Sequence, residues 1–405
     1  MVSPAQPEDR QRLRVLIAYS YSMHYRLGVF RALLDQPDID VTIAAGTTPR
    51  HESPSVATSG VAPIQPEDLP ELQWHHTFSI GWLRFQPGLL RRSLSSRYDV
   101  VVWDPSLHCL TTWLSSVVIR ARGQSLLYWG LGWTKQHGRF KERCKVAVFR
   151  LAHGFMTYGQ RSAELGAQAA YPAPRLYVVG NSLPDHAAAR EAAATTPPDS
   201  PLTLGVALRL SGRKRVDLLI RAVAALNARG VPTRAIIVGE GPERAVLQSL
   251  ADELDADVEF AGELYDAEKI AAYYRRIHLT VIPGHAGLTV IQSLMHGRPV
   301  ITHDNPDNHA DEWTAIRAGV SGAFFAEGDL DALVDTILQV REQLMGGTAT
   351  TLATTRACRE DYLEHGSPQA HARRIIDSVM DVVAKRSPRR FSRVSQRESV
   401  TSDQT

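Results

Sequence analysis

Cysteine is scarce. Cys109, Cys144 and Cys358 are the only three, and no two form a C-x-x-C pair. That spacing excludes a disulfide framework and a thiolate zinc site, and it fits a reducing compartment. Long apolar runs are also missing. No stretch of ~18 apolar residues is present to span a membrane. The opening MVSPAQPEDRQRLR lacks the apolar centre of a signal peptide. Net charge is small, with 45 Lys and Arg against 43 acids for a formal +2, so there is no global field for nucleic acid. What is present is an ordinary globular composition, 44% hydrophobic and 22% charged. The 405 residues suffice for two domains at ~100–200 residues each. The expectation is a cytoplasmic protein.

Strand-like and helix-like segments alternate, which predicts parallel sheets with helices on both faces. Strands are expected at Val15–Tyr19, Val41–Ala45, Val100–Trp103, Ser125–Trp129, Phe155–Tyr158 and Tyr177–Val179. Residues 47–72, rich in Pro, Ser and Thr, read as a surface excursion. TTPPDSP, ending at Pro201, reads as a linker, and a second series follows it. Its strands are expected at Thr203–Leu208, Ala235–Val238, Val258–Phe260, Leu279–Ile282 and Pro299–Thr302. Its helices are expected near 216–229, 242–254, 266–276, 288–296 and 329–345. Residues 386–405, Ser- and Arg-rich with almost no apolar content, read as a disordered basic tail.

Two stretches of the second series carry the chemistry. PGHAGLTVIQSLMHGRPVIT, from Pro283 to Thr302, reads as a loop, a helix and the next strand. Pro283 and Gly284 end a strand, and Gly287 permits close backbone approach. Leu288, Ile291, Leu294 and Met295 share a helical face, and Gly297 sits where a C-cap belongs. The loop falls at the carboxyl end of the sheet, where open α/β folds bind ligands. The N–H groups around Gly287, Leu288 and Thr289 suit a phosphate, although a tight turn without a ligand reads the same way. ALRLSGRKR, from Ala207, places Arg209 and Lys214 in another strand-to-helix loop, beside Arg213 and Arg215. Cations there suit a diphosphate leaving group.

Together these residues resemble the GT4-type group of GT-B retaining glycosyltransferases, in its polysaccharide-biosynthesis-like subgroup. Arg209 and Lys214 fall on that family's two phosphate-binding cations. Val238-Gly239-Glu240-Gly241-Pro242-Glu243-Arg244 and Val258-Glu259-Phe260-Ala261-Gly262 match two further elements in order and spacing. The resemblance covers roughly residues 203–345. It implies an α/β fold of the GT-B type, two Rossmann-like domains with an interdomain cleft. Residues 1–195 would bind the acceptor and residues 196–366 the nucleotide sugar. A helix at 367–385 would cross back to the first domain. The family usually carries two glutamates, where this chain has Gly284 and Gln292. Gln292 offers a carbonyl to the donor ribose, and His285 stands beside the glycine. The subgroup also has an acidic pair near Asp311-Glu312.

In the first half, the loop SYSMHYRLGVF carries His24, Tyr25 and Arg26, read as projecting toward the acceptor. The alternative is a polar helix start facing water. Leu131 stands where relatives often have histidine, and His108 and His137 are nearby substitutes that read equally as surface residues. Residues 138–152 read as an amphipathic helix, with Phe140, Cys144, Ala147 and Leu151 on one face and Arg139, Lys141, Arg143 and Lys145 on the other. Such a face suits anionic lipid at the inner membrane surface, or plain solvent.

The resemblance implies a metal-independent hexosyltransferase with no cofactor, using a UDP- or GDP-sugar as co-substrate. Its acceptor would be a saccharide or a lipid-linked hydroxyl. Two rivals stand beside it: a sugar-nucleotide 2-epimerase on the same fold, and a non-catalytic partner subunit.

Overall fold

Buried β-rich runs separated by amphipathic helices give two parallel sheets, each covered on both faces. The computed structural model describes residues 12–20, 24–46, 64, 67–106, 108–134, 138–195 and 201–386. Tyr21, His137, most of the 47–72 excursion, most of the linker and the tail from residue 387 lie outside them. The chain divides into two units, residues 1–179 with 372–405, and residues 180–371.

In the first unit β1 (Leu13–Tyr19) leads through α1 (Leu27–Leu34) to β2 (Ile39–Gly46) and β3 (Gln73–His75). A hairpin of β4 (Phe78–Ile80) and β5 (Leu83–Phe85) precedes α2 (Pro87–Ser93). Then come β6 (Val100–Trp103), α3 (Leu110–Ala121), β7 (Ser125–Trp129), α4 (Arg139–Phe149), β8 (Gly154–Thr157), α5 (Gln160–Gln168) and β9 (Leu176–Val178). The sheet order is β3-β2-β1-β6-β7-β8-β9. Strand alternation splits the core in two. Val15, Ile17, Val100, Val102 and Trp129 face α1. Leu16, Ala18, Val101, Trp103 and Tyr128 face α2, α3, α4 and α5 through Leu89, Ile119, Val146, Phe149 and Leu165.

In the second unit α6 (Ala187–Ala193) precedes β10 (Leu202–Ala207). α7 (Val216–Ala228), β11 (Thr233–Val238), α8 (Arg244–Glu253), β12 (Val258–Gly262), α9 (Ala267–Arg276) and β13 (Leu279–Ile282) follow. α10 (Leu288–Met295), β14 (Val300–His303), β15 (Gly322–Phe325), α11 (Leu330–Met345) and α12 (Thr348–Asp361) complete it. The sheet order is β12-β11-β10-β13-β14-β15. Growth reverses between β10 and β13, the topological switch point of a doubly wound sheet.

The division by packing falls at Gly180, ahead of the boundary at residue 196 read from composition. Helix α6 belongs to the second core through Ala188, Ala189 and Ala192. Buried Arg298 holds it by donating to the carbonyls of Ala192 at 3.0 Å and Thr195 at 2.7 Å. At the other end the division falls at His371, inside α13 (Pro368–Arg386). From Ala372 onward that helix belongs to the first core, through Ile375, Val379 and Val382. Tyr177 Oη donates to Asp381 at 2.6 Å and Arg374 Nε to the Val179 carbonyl at 2.7 Å.

Candidate functional site

Backbone geometry at the carboxyl end of the second sheet is set by glycine. Leu208 N donates to the Val238 carbonyl and Leu210 N to the Glu240 carbonyl, each at 3.0 Å. The loops after β10 and β11 therefore lie in contact. A Cβ on Gly239 would sit 1.9 Å from Leu208 O, and one on Gly241 would sit 2.1 Å from Leu210 O. Gly239 also has φ +126°, which side chains rarely adopt. Arg244 stacks its guanidinium 3.8 Å from the Phe260 ring centroid, so two of the motif elements read from sequence hold each other.

The loop after β13 presses against the loop after β10 in the same way. His285 N donates to Arg213 O at 3.0 Å. A Cβ on Gly284 would lie 2.3 Å from that oxygen and 2.6 Å from Lys214 C. The position has no room for a glutamate. On its other side the loop is held by the segment after β14. Ala286 N donates to His309 Nδ1 at 3.1 Å, and Ala310 N to Ala286 O at 2.9 Å. His309 Nε2 in turn donates to the His303 carbonyl at 2.9 Å, and the two rings stack. Burial first, with help from the neighbouring His303, pushes His309 down to about 4, so it stays neutral.

The cations divide by partner. Arg215 forms a bidentate pair with Asp217 at 3.0 and 3.1 Å. Arg209 and Arg213 are exposed, and among the described residues none takes up either guanidinium. Lys214 Nζ donates to His285 O at 2.6 Å. Burial, then Arg213, push Lys214 down to about 8, against the pull of Glu312. His285 falls to about 4 from burial, then Lys214 and Arg213, and its Nδ1 is buried without a partner among the described residues. Glu312 was legible only through the resemblance. Asn181 Nδ2 donates to its Oε1 at 3.2 Å, while its Oε2 is buried with no described partner. Burial raises this carboxyl above its ordinary range, against Asn181 and Lys214.

Helix α10 starts at Gly287, which presents the first-turn N–H groups of Leu288 and Thr289. Thr289 Oγ1 donates to Ala207 O at 2.9 Å and ties the helix to β10. The Gln292 carbonyl accepts from Tyr274 Oη at 3.5 Å, a long contact that the sequence reading did not anticipate.

The first unit has its own cluster at the carboxyl end of β1 and β7. Arg26 does not project as read from sequence. It is 3% exposed. Its guanidinium lies 4.6 Å from the Trp129 ring, 4.9 Å from Tyr19, 5.1 Å from Tyr158 and 5.3 Å from Tyr25. It donates to Tyr158 Oη, and its second terminal nitrogen has no described partner. Burial opposes its charge, but Tyr158, Tyr19, Tyr25 and Asp104 more than compensate and hold it above its ordinary value. A flat cation surrounded by π-faces explains the burial. Tyr25 is half-buried beside it and His24 is exposed. Leu131 is exposed, while Trp133 is buried and donates to Glu142 at 3.2 Å.

Helix α4 is turned differently from its sequence reading. Its core contacts are Val146 and Phe149, and Phe140, Cys144 and Ala147 face solvent.

Residues 201–343 match the family model described as glycosyl transferases group 1. The match takes in the strands and loops of the second unit from β10 to α11. Over 96 residues the chain is 38% identical to the GDP-mannose-dependent alpha-(1-6)-phosphatidylinositol dimannoside mannosyltransferase of Mycobacterium tuberculosis, covering 23% of this chain and 25% of that protein. Over 227 residues it is 29% identical to the D-inositol 3-phosphate glycosyltransferase of Mycolicibacterium gilvum, covering 51% and 48%. The chain thus spans 25% to 48% of the length of these curated relatives. Lipopolysaccharide outer core galactosyltransferase WaaB, in its apo form, superposes with a TM-score of 0.66 at 13% identity over 91% of this chain and 99% of that one. Anabaena HepE in complex with UDP gives 0.64 at 15% identity, over 91% and 100%. The chain has the GT-B fold, an α/β architecture with two parallel sheets in two units.

Proposed function

We propose that this chain is a retaining glycosyltransferase that moves a sugar from a UDP- or GDP-sugar to an acceptor hydroxyl. One observation carries the reading. Among the described residues Arg209 and Arg213 stand without side-chain partners beside Lys214, in loops that Gly239, Gly241 and Gly284 let lie close together. Unmatched cations above exposed N–H groups at a switch point suit a diphosphate. A relative named for GDP-mannose and a structural neighbour holding UDP support the choice of base.

In this reading Arg209 and Lys214 neutralise charge on the β-phosphate as the bond from the anomeric carbon to the phosphate oxygen breaks. The electron pair stays on that oxygen. The acceptor oxygen bonds the anomeric carbon from the same face, and its proton passes to the departing phosphate. The N–H groups of Leu288 and Thr289, at the turn opened by Gly284 and Gly287, hold the diphosphate. Gln292 holds the ribose, and neutral His285 faces the sugar. His24 and Tyr25, with buried Arg26 fixing the loop, contact a saccharide or lipid-linked acceptor.

The test incubates the chain with UDP- and GDP-sugars and with saccharide and lipid acceptors. Release of free nucleoside diphosphate together with a glycosylated product supports transfer. A sugar nucleotide epimerised with its diphosphate bond intact would sink it in favour of the epimerase.

A further inference from the structure

Apart from Ile119 near its end, helix α3 turns small polar residues toward the core. Its sheet-facing side carries Thr111, Thr112, Ser115 and Ser116, all fully buried. Their hydroxyls are satisfied within the unit. Gln86 N donates to Thr111 Oγ1 at 2.7 Å, Ser93 Oγ to Ser115 Oγ at 2.8 Å, and Tyr128 Oη to Ser116 Oγ at 2.8 Å. The outer side carries Leu110, Leu114 and Val117, all exposed. A surface helix ordinarily shows the reverse pattern. Among the described residues nothing covers this apolar stripe.

The β4–β5 hairpin extends the same surface. Ile80 pairs with Leu83 across a two-residue turn, Gly81-Trp82, and Gly81 has φ +59°. Glycine at the first central position fits a II′ turn, and this places Trp82 at the tip. Arg84 N donates to the His108 carbonyl at 2.8 Å, and the Trp82 and His108 rings meet edge-on at 5.5 Å. The tip is therefore tied to the segment that leads into α3. Ile80 is 84% exposed, Trp82 69% and Phe78 57%. In the same helical layer α4 adds Phe140, 80% exposed, next to exposed Lys141 and Arg143. An apolar patch of this extent marks an interaction surface.

Charge decides the occupant. From Thr77 to His153 the sequence has twelve Lys and Arg and three acids, Asp99, Asp104 and Glu142. Each acid is already engaged within the unit: Asp99 with Arg14 at 3.3 Å, Asp104 with Ser20, and Glu142 with Trp133. The elements that carry the patch are therefore rich in cations and poor in acids, with Arg120 on α3 and Lys141 and Arg143 on α4 exposed. Two copies meeting face to face would press like charges together. A bilayer with anionic headgroups matches both the surplus of cations and the apolar patch.

We propose that this face of the first unit docks on an anionic lipid surface, with Ile80 and Trp82 at the headgroup–acyl boundary and the Leu110, Leu114 and Val117 stripe lying along it. Tryptophan favours that depth, because its ring is apolar and its N–H stays wet. The proposal does not depend on the transfer reaction.

The experiment is co-sedimentation of the full chain with vesicles of phosphatidylcholine alone, and of phosphatidylcholine mixed with phosphatidylglycerol. Binding should require phosphatidylglycerol and weaken as salt rises above ~0.15 M, where screening reaches within ~8 Å. The double variant Ile80→Ser/Trp82→Ser should keep its thermal midpoint and bind at least about tenfold more weakly. Val246→Ser, which removes an exposed apolar residue of the second unit, should bind like the parent. Equal binding by the double variant, or no binding to the mixed vesicles, would overturn the proposal. So would lipid-free dimerisation abolished by the double variant, which would assign the face to a second copy.

Discussion

Lys214 Nζ donates to the carbonyl oxygen of His285 at 2.6 Å, and this joins the loops after β10 and β13 across the switch point of the second sheet. The bond holds the ammonium at a fixed place before any ligand arrives. It uses one of three protons and leaves two for the phosphate oxygens of the proposed donor. Preorganisation of this kind removes side-chain ordering from the binding step.

Gly284 is the position where the resemblance leads one to look for an acid. Its Cβ would fall 2.3 Å from Arg213 O. Gly284→Glu should therefore part the two loops rather than add a catalytic group. The expected cost is about 1–3 kcal/mol, as for overpacking a tight site. Urea unfolding should show it, and nucleotide binding should be lost as well. A stable variant with improved transfer would contradict the geometry.

Lys214 sets a pH dependence with two opposite signs. Its folded pKa is about 8, below the ordinary value of ~10.4. Between these values the unfolded chain binds the extra proton, so this group's contribution to stability rises with pH and is lost as pH falls toward about 8. Diphosphate binding needs the proton, so affinity should fall as pH rises through about 8. Titration of UDP or GDP from about pH 7 to about pH 9 measures it. Lys214→Arg keeps its charge and should flatten the profile.

Glu312 acts on that same proton. It opposes the lowering of Lys214, while Arg213 adds to it. Glu312→Gln keeps an acceptor for Asn181 and removes the charge. The midpoint of the affinity profile should therefore move to lower pH, with little change in the thermal midpoint. An unmoved midpoint would show that Glu312 is not coupled to the site.

Arg26 should matter first to stability. Arg26→Met removes a buried cation from among four rings and takes from Asp104 one of the groups, after Ser20, that offset its burial. Loss of one buried partner costs roughly 3–5 kcal/mol. Arg26→Lys should also destabilise, because an ammonium cannot lie flat over Trp129. Denaturant midpoints for both variants check this. Unchanged midpoints with lost transfer would return Arg26 to direct acceptor contact.

Much of the loop geometry at the carboxyl end of the second sheet was legible in the sequence, because the backbone there requires particular residues. Gly239, Gly241 and Gly284 are glycine for steric reasons, and strand ends such as Val238 and Ile282 sit in unbroken apolar runs. Ser125–Trp129 and Leu279–Ile282 fall where the runs place them. The three-residue strand β3 and the strand β15 gave too little periodicity to find. Helix α3 was hidden for a different reason. Its buried face is mostly Thr and Ser, with Ile119 the one fully buried apolar residue, so the apolar stripe of Leu110, Leu114 and Val117 points away from the core. Helix α4 misled in a similar way, because Phe140 looks like a core residue and is not. Arg26 was found as a residue but not as a buried one, since the rings around it come from four separate positions in the chain.

The most direct test of the donor site is thermal stabilisation by UDP, GDP, ADP and NAD, run on the parent chain and on Lys214→Ala. At 100 times its dissociation constant a ligand adds ~2.7 kcal/mol. UDP or GDP should stabilise the parent strongly and Lys214→Ala weakly, with ADP and NAD behind both. Stabilisation that is the same in Lys214→Ala, or absent with every nucleotide, would contradict the assignment of the diphosphate to this site.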